Sequence, residues 1–130
     1  MNECDVLVID DEPVVRDAVR RVLQAHGLRV ATADDATSGL SHPALATCRL
    51  VLCDLMLPDR SGSEVLREIR QRYPGLPVVV ITGYATRDEA RRALEAGAVD
   101  FLAKPFEAQE LMQSVQRALG GGPATQEEGA

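Results

Sequence analysis

Tryptophan is absent from this chain, and aromatic side chains make up only 3% of it. A core here has to be built from Val, Leu, Ile and Ala rather than from large rings. No apolar run approaches the roughly 18 residues of a membrane-spanning helix. The N-terminus carries Glu3 and Asp5 where an export signal carries positive charge, so the sequence reads as cytoplasmic. Cys4, Cys48 and Cys53 are odd in number and fit no zinc-ligand spacing, which leaves reduced, mostly buried thiols as the expectation. Positive charge is scarce too. The net charge of −6 argues against direct nucleic-acid binding by this segment. Scarcest of all is lysine: Lys104 stands alone against thirteen arginines.

What remains is ordinary for one globular domain, with 130 residues, 45% hydrophobic and 26% charged. Short aliphatic runs alternate with segments of helical period, the pattern of a parallel sheet with crossover helices. Residues 6–9, 28–33, 50–53, 78–81 and 98–102 read as strands. The first, third and fourth are almost continuously apolar, as strands covered on both faces are, so they belong in the centre. Helices are expected between them. Gly27 and Gly97 offer C-terminal stops, Ser61 and Thr86 begin capping-box patterns, and residues 107–119 form the last helix. The fourth helix should bury Ala90, Ala93 and Leu94, a thin stripe. The second is short, capped by Asp34 or Asp35. Residues 1–119 are thus expected to form one domain, and 120–130, rich in Gly, Pro, Thr, Gln and Glu, a flexible tail or the start of a linker.

Asp10 and Asp11 follow the first strand and Asp54 comes after the third. Open parallel sheets bind ligands beyond the carboxyl ends of their strands, where the strand order reverses. With the order 2-1-3-4-5, a flavodoxin-like doubly wound sheet with five flanking helices, the three carboxylates share one crevice. Like charges that close call for a cation, and an oxygen-only set suits Mg²⁺. Thr82 and Lys104, after the fourth and fifth strands, bring a hydroxyl and an ammonium to the same place. Together these groups make a receptor for a phosphoryl group, and Asp54 is the best-placed nucleophile for an aspartyl-phosphate. A compact ammonium expected to lie exposed in the crevice explains why this position keeps Lys rather than Arg. Singly, each residue has a plainer use as a loop, cap or turn residue. His26 at a helix end and His42 before a proline suit such structural roles, and the arginines at 87, 91 and 92 suit a solvated helix face.

Four motifs carry a resemblance: Val8-Ile9-Asp10-Asp11-Glu12-Pro13, Cys53-Asp54-Leu55-Met56-Leu57-Pro58-Asp59 followed by Gly62, Ile81-Thr82-Gly83-Tyr84, and residues 97–106 ending in Lys104-Pro105-Phe106. In this order the chain resembles a response regulator receiver domain, the phospho-accepting half of two-component signalling, over about residues 4–119. The resemblance implies phosphorylation of Asp54 by a histidine kinase or phosphotransfer protein. It implies Mg²⁺ ligated by Asp11, Asp54 and the Met56 carbonyl, with Asp10 acting at least partly through water. Thr82 and Phe101 would be the switch pair, and the Lys104–Pro105 bond would be cis. Met56 and Tyr84 occupy variable positions that influence phosphoryl lifetime in such domains. The wording of the last motif is similar to receivers of nitrogen-regulator-type activators and of some hybrid kinases.

The expected function is a phosphorylation-controlled switch rather than a conventional enzyme. It would reshape the face of the fourth helix, fifth strand and fifth helix, controlling an output protein or an effector domain, with a homodimer on phosphorylation as one form of output. Neither nucleic acid nor membrane is an expected partner. Two other classes compete. A receiver-like interaction module that is never phosphorylated would have no need of the intact acidic cluster. A flavin carrier would need a Ser-, Thr- or Gly-rich loop where Asp10-Asp11-Glu12 stands.

Overall fold

Strands covered on both faces cannot spare a polar side chain, and the three central runs have almost none. In the computed structural model, which describes residues 4–83 and 86–120, those runs become β1 (Val6–Ile9), β3 (Leu50–Asp54) and β4 (Val78–Thr82), buried at every residue. The edge strands β2 (Val30–Ala33) and β5 (Asp100–Ala103) are only partly covered. All pairs are parallel, in the order β2-β1-β3-β4-β5. Five helices flank the sheet: α1 (Pro13–Ala25), α2 (Ala36–Leu40), α3 (Gly62–Arg72), α4 (Arg87–Glu95) and α5 (Ala108–Leu119), with a short 3-10 turn at Pro43–Ala46. Among the described residues no helix is long and apolar enough to cross a membrane.

Alternate strand residues feed two cores. Val6, Val8, Leu50, Leu52, Val79 and Ile81 pack with Val19 and Leu23 of α1 and Leu111, Met112 and Val115 of α5. Leu7, Ile9, Val51, Cys53, Val78 and Val80 face Val65, Leu66 and Ile69 of α3. Each fully buried Leu, Ile or Val contributes on the order of 1.5–3 kcal/mol, so these two layers carry the fold. All three cysteines are free and buried. Burial pushes the Cys48 thiol up to about 11, so it stays protonated and inert.

Several expectations need correction. The edge strands start two residues late, at 30 rather than 28 and at 100 rather than 98. Both follow a glycine of positive φ, Gly27 and Gly97. The residue after each glycine sends its N–H back to the preceding helix, Leu28 to Leu23 O and Ala98 to Ala93 O. Those amides close helices and so cannot begin strands. Leu94 is 47% exposed, and only Ala93 of α4 is buried, which makes α4 the most thinly held long helix. The hydroxyls of Ser61 and Thr86 do cap α3 and α4, but the reciprocal two-bond box forms at Glu107 and Glu110. Asp35, not Asp34, caps α2. Tyr84 and residues 121–130 lie outside the described residues.

Candidate functional site

Parallel register decides which strand ends meet. Ile9 pairs with Cys53, so the residues that follow, Asp10 and Asp54, come side by side at the carboxyl edge. Thr82 ends β4 opposite Ala103, and the Lys104 amide then donates to the Thr82 carbonyl at 2.8 Å. This places Lys104 over the same edge, and its bond to Pro105 is cis. Asp10, Asp54 and Thr82 are all buried, at 0, 3 and 1% exposure. Three polar side chains this deep at one sheet edge need partners.

Lys104 meets the two aspartates. Its Nζ lies 2.9 Å from Asp54 Oδ2, 2.6 Å from Glu12 Oε1 and 3.1 Å from Asp10 Oδ2. Burial works against its charge, but the Asp54, Glu12 and Asp10 carboxylates outweigh that and hold the ammonium well above its ordinary range. Its side chain is only 14% exposed, so the expectation of an exposed lysine is corrected: three acids hold it in the crevice. The second oxygens are also engaged. Asp54 Oδ1 accepts the Met56 N–H at 2.9 Å, and Asp10 Oδ1 accepts the Glu12 N–H at 2.9 Å. Arg16 braces the turn by donating to the Asp10 carbonyl.

One ammonium does not satisfy the cluster. Burial pushes the Asp10 carboxyl up, and the neighbouring Asp54 charge adds to that. Asp10 Oδ2 touches Lys104 without hydrogen-bond alignment and has no hydrogen-bond partner among the described residues. Carboxylate oxygens of Asp10, Glu12 and Asp54 lie within 4.8 Å of one another. A buried carboxylate oxygen that accepts no hydrogen bond among the described residues, in an all-oxygen cluster, fits a hard divalent cation such as Mg²⁺.

The structure thus brings Asp10, Asp54, Thr82 and Lys104 to one edge, as the sequence suggested. Asp11 is exposed and outside that close acid group, though it lines the same groove of about 610 Å³ together with Met56, Gly83 and Pro105. Met56 is 56% exposed on the loop after β3. Phe101 is half-buried and packs against the α3 side of the core. Glu12 is the residue that sequence reasoning passed over as a lysine partner. Its only signal was a third acid in a row, which by itself reads as a solvated turn. His26 and His42 keep structural roles, at the end of α1 and at the start of the 3-10 turn.

Comparisons with known proteins converge on one family and one fold. The family model described as response regulator receiver domain matches residues 6–116. The C4-dicarboxylate transport transcriptional regulatory protein DctD of Pseudomonas aeruginosa is 40% identical over 117 residues, which cover 90% of this chain and 25% of that protein. The DNA-binding transcriptional regulator NtrC of Escherichia coli is 35% identical over 88% of this chain and 24% of its own length. The chain therefore spans about a quarter of these regulators. Among solved structures, the receiver domain of NtrX from Brucella abortus superposes with a TM-score of 0.84 at 40% identity, covering 89% of this chain and 98% of that one. A CheY-like receiver domain protein from Methanospirillum hungatei superposes with a TM-score of 0.83 at 27% identity, covering 99% and 100%.

Proposed function

The chain belongs to the response regulator receiver domain family, and from that premise we propose that it is a switch set by phosphorylation of Asp54. The observation that carries this reading is the single ammonium of Lys104 held 2.9 Å from Asp54 Oδ2 beside the buried Oδ2 of Asp10, which accepts no hydrogen bond among the described residues. Asp54 Oδ2 attacks the phosphorus of a phosphohistidine on a kinase or phosphotransfer protein. The new O–P bond replaces the P–N bond, and the departing imidazole nitrogen takes up a proton. Lys104 meets one oxygen of the transferred group, and the Thr82 hydroxyl turns to meet another. Asp10, Asp11 and Asp54 with the Met56 carbonyl would hold Mg²⁺, which when bound supplies positive charge to the phosphoryl oxygens. Asp11, exposed in this structure, would have to turn inward to do so.

Movement of Thr82 frees space that Phe101 enters, and the face of α4, β5 and α5 changes. A thinly packed α4 is suited to that, because few buried contacts oppose its shift. The output is an effector domain or partner protein that reads this face, a second phosphorylated copy included. The domain is cytoplasmic and comprises residues 1–119, with a tail or linker following. It assists its own charging and hydrolysis but transforms no separate substrate.

Two results are expected. Mg²⁺ raises the melting temperature of the wild-type chain, since a ligand at ten times its Kd stabilises the native state by about 1.4 kcal/mol. Asp11→Asn loses most of that gain while folding normally without the ion. An unchanged melting temperature in millimolar Mg²⁺ would remove the crevice as a metal site. Lys104→Arg keeps the charge but adds bulk among three carboxylates, and should cost on the order of 1 kcal/mol. It still accepts a phosphoryl group, because the metal remains. Its planar fork cannot reproduce the ammonium's contact with one phosphoryl oxygen, so amide shift changes in α4 and β5 on phosphorylation shrink. Full-sized changes would show that Lys104 does not couple site to surface.

A further inference from the structure

The loop that follows Asp54, residues 55–61, is closed at its base and pinned at its apex. At the base, Gly62 N–H donates to the Leu55 carbonyl at 2.8 Å, Met56 forms a bridge with Ser61, and the Met56 N–H sits on Asp54 Oδ1. At the apex two neighbouring side chains reach in opposite directions. Arg60 pairs with Glu64 and Glu68 on α3, at 3.3 and 3.0 Å. Asp59 spans more than twenty positions of sequence to α2: its Oδ1 accepts the Ala36 N–H at 2.8 Å, and its Oδ2 accepts the Thr37 N–H at 2.9 Å and the Thr37 hydroxyl at 2.7 Å.

The two anchors differ in strength. Arg60 makes ion pairs among half-exposed side chains, which stabilise little. Asp59 takes up two N–H groups that the first turn of α2 leaves without helical partners, and a charged acceptor makes each such bond stronger. The Ala36 and Thr37 donors hold the Asp59 carboxyl far below the usual carboxylate range. All three contacts are polar, and Asp59 and Thr37 are themselves exposed. Its effect is positional. We propose that Asp59 is a positioning residue that ties the loop to α2 and so holds the Met56 backbone in register with the Asp54 carboxylate. This rests on the reading of Asp54 and Met56 given above, and it adds a dependence of that site on α2.

The test compares Asp59→Ala, Thr37→Val and Arg60→Ala with the wild type in the 130-residue chain. Titration with Mg²⁺ alone, followed by amide shifts, gives the half-saturating concentration, and hydrogen exchange gives the freedom of the Met56 amide. Asp59→Ala should raise half-saturation about fivefold, short of the tenfold or more that follows loss of a group bonded directly to a metal ligand. It should also speed exchange at Met56. Thr37→Val, which removes one of three bonds, should lie between Asp59→Ala and the wild type. Arg60→Ala should change both by less than twofold. If Asp59→Ala speeds exchange at Ala36 and Thr37 but leaves Met56 and half-saturation alone, Asp59 only caps α2 and the proposal is overturned. Should Asp59→Ala fail to fold, Thr37→Val decides alone, and wild-type values there overturn it as well. A wild-type chain that binds no Mg²⁺ refutes the metal site instead, and exchange at Met56 still judges Asp59.

Discussion

Asp54→Asn takes up no phosphoryl group from a small acyl phosphate and Mg²⁺ under conditions that charge the wild-type chain. Intact mass should show one acid-stable, base-labile adduct on the wild type and none on Asp54→Asn or Asp54→Ala. Asp54 Oδ2 is bonded to Lys104 Nζ at 2.9 Å, and its Oδ1 is held by the Met56 amide, so one oxygen is aimed at the crevice. Asp10 does not line that groove, whereas Asp54 does. Asp10 is fully buried, its carboxyl is pushed up by that burial, and its Oδ1 is committed to Glu12. Glu12 also touches Lys104, but it is exposed and outside the buried edge. An adduct that forms at full level on both Asp54 variants would move the acceptor to one of these neighbours.

Gly62→Ala should unfold the chain more than any other single methyl addition at the site. A Cβ at that position would lie 2.5 Å from Leu55 Cα and closer still to the Asp54 carbonyl oxygen. Both obstacles are backbone, so no side chain can swing aside. Alanine in place of glycine in a helix gains about 0.5–1 kcal/mol. Pressing a methyl into a filled space costs typically 1–3 kcal/mol and occasionally more, and a backbone obstacle belongs at the upper end. The net loss should be about 2 kcal/mol, or on the order of 5–10 °C in melting temperature. The strain falls on Asp54 itself, so charging should slow even in the folded fraction. A melting temperature within a degree of the wild type would mean that the β3–α3 turn yields more easily than its backbone contacts suggest.

The centre of the fold was readable because strands buried on both faces leave runs such as Val78-Val79-Val80-Ile81 with little other use. Its edges were less so. Ala98 and Leu28 look like strand residues, yet their amides finish helices, and only hydrogen-bond bookkeeping in three dimensions reveals that. Leu94 was assigned inward from periodicity, but a nine-residue helix of mostly charged residues, seated through Ala93, leaves it outside. The meeting of Asp10, Asp54, Thr82 and Lys104 at one sheet edge was legible from their places at strand ends. Glu12 was not, because a third acid after a strand end reads as a solvated turn residue until the fold brings Lys104 to it. Asp59 was hidden because its partners belong to a short helix that the sequence barely signals. Side chains that act through a neighbouring element leave no periodic trace.

A phosphorylation switch requires that charging Asp54 change a surface that Asp54 does not touch. Amide chemical shifts of the wild-type chain, recorded in Mg²⁺ before and after addition of the acyl phosphate, measure this directly. The predicted result is a continuous set of changes from Asp54 and Thr82 through Phe101 to α4 and the start of α5, absent from Asp54→Ala treated in the same way. Changes confined to the crevice, with α4 and β5 unmoved while the mass shows full charging, would contradict it.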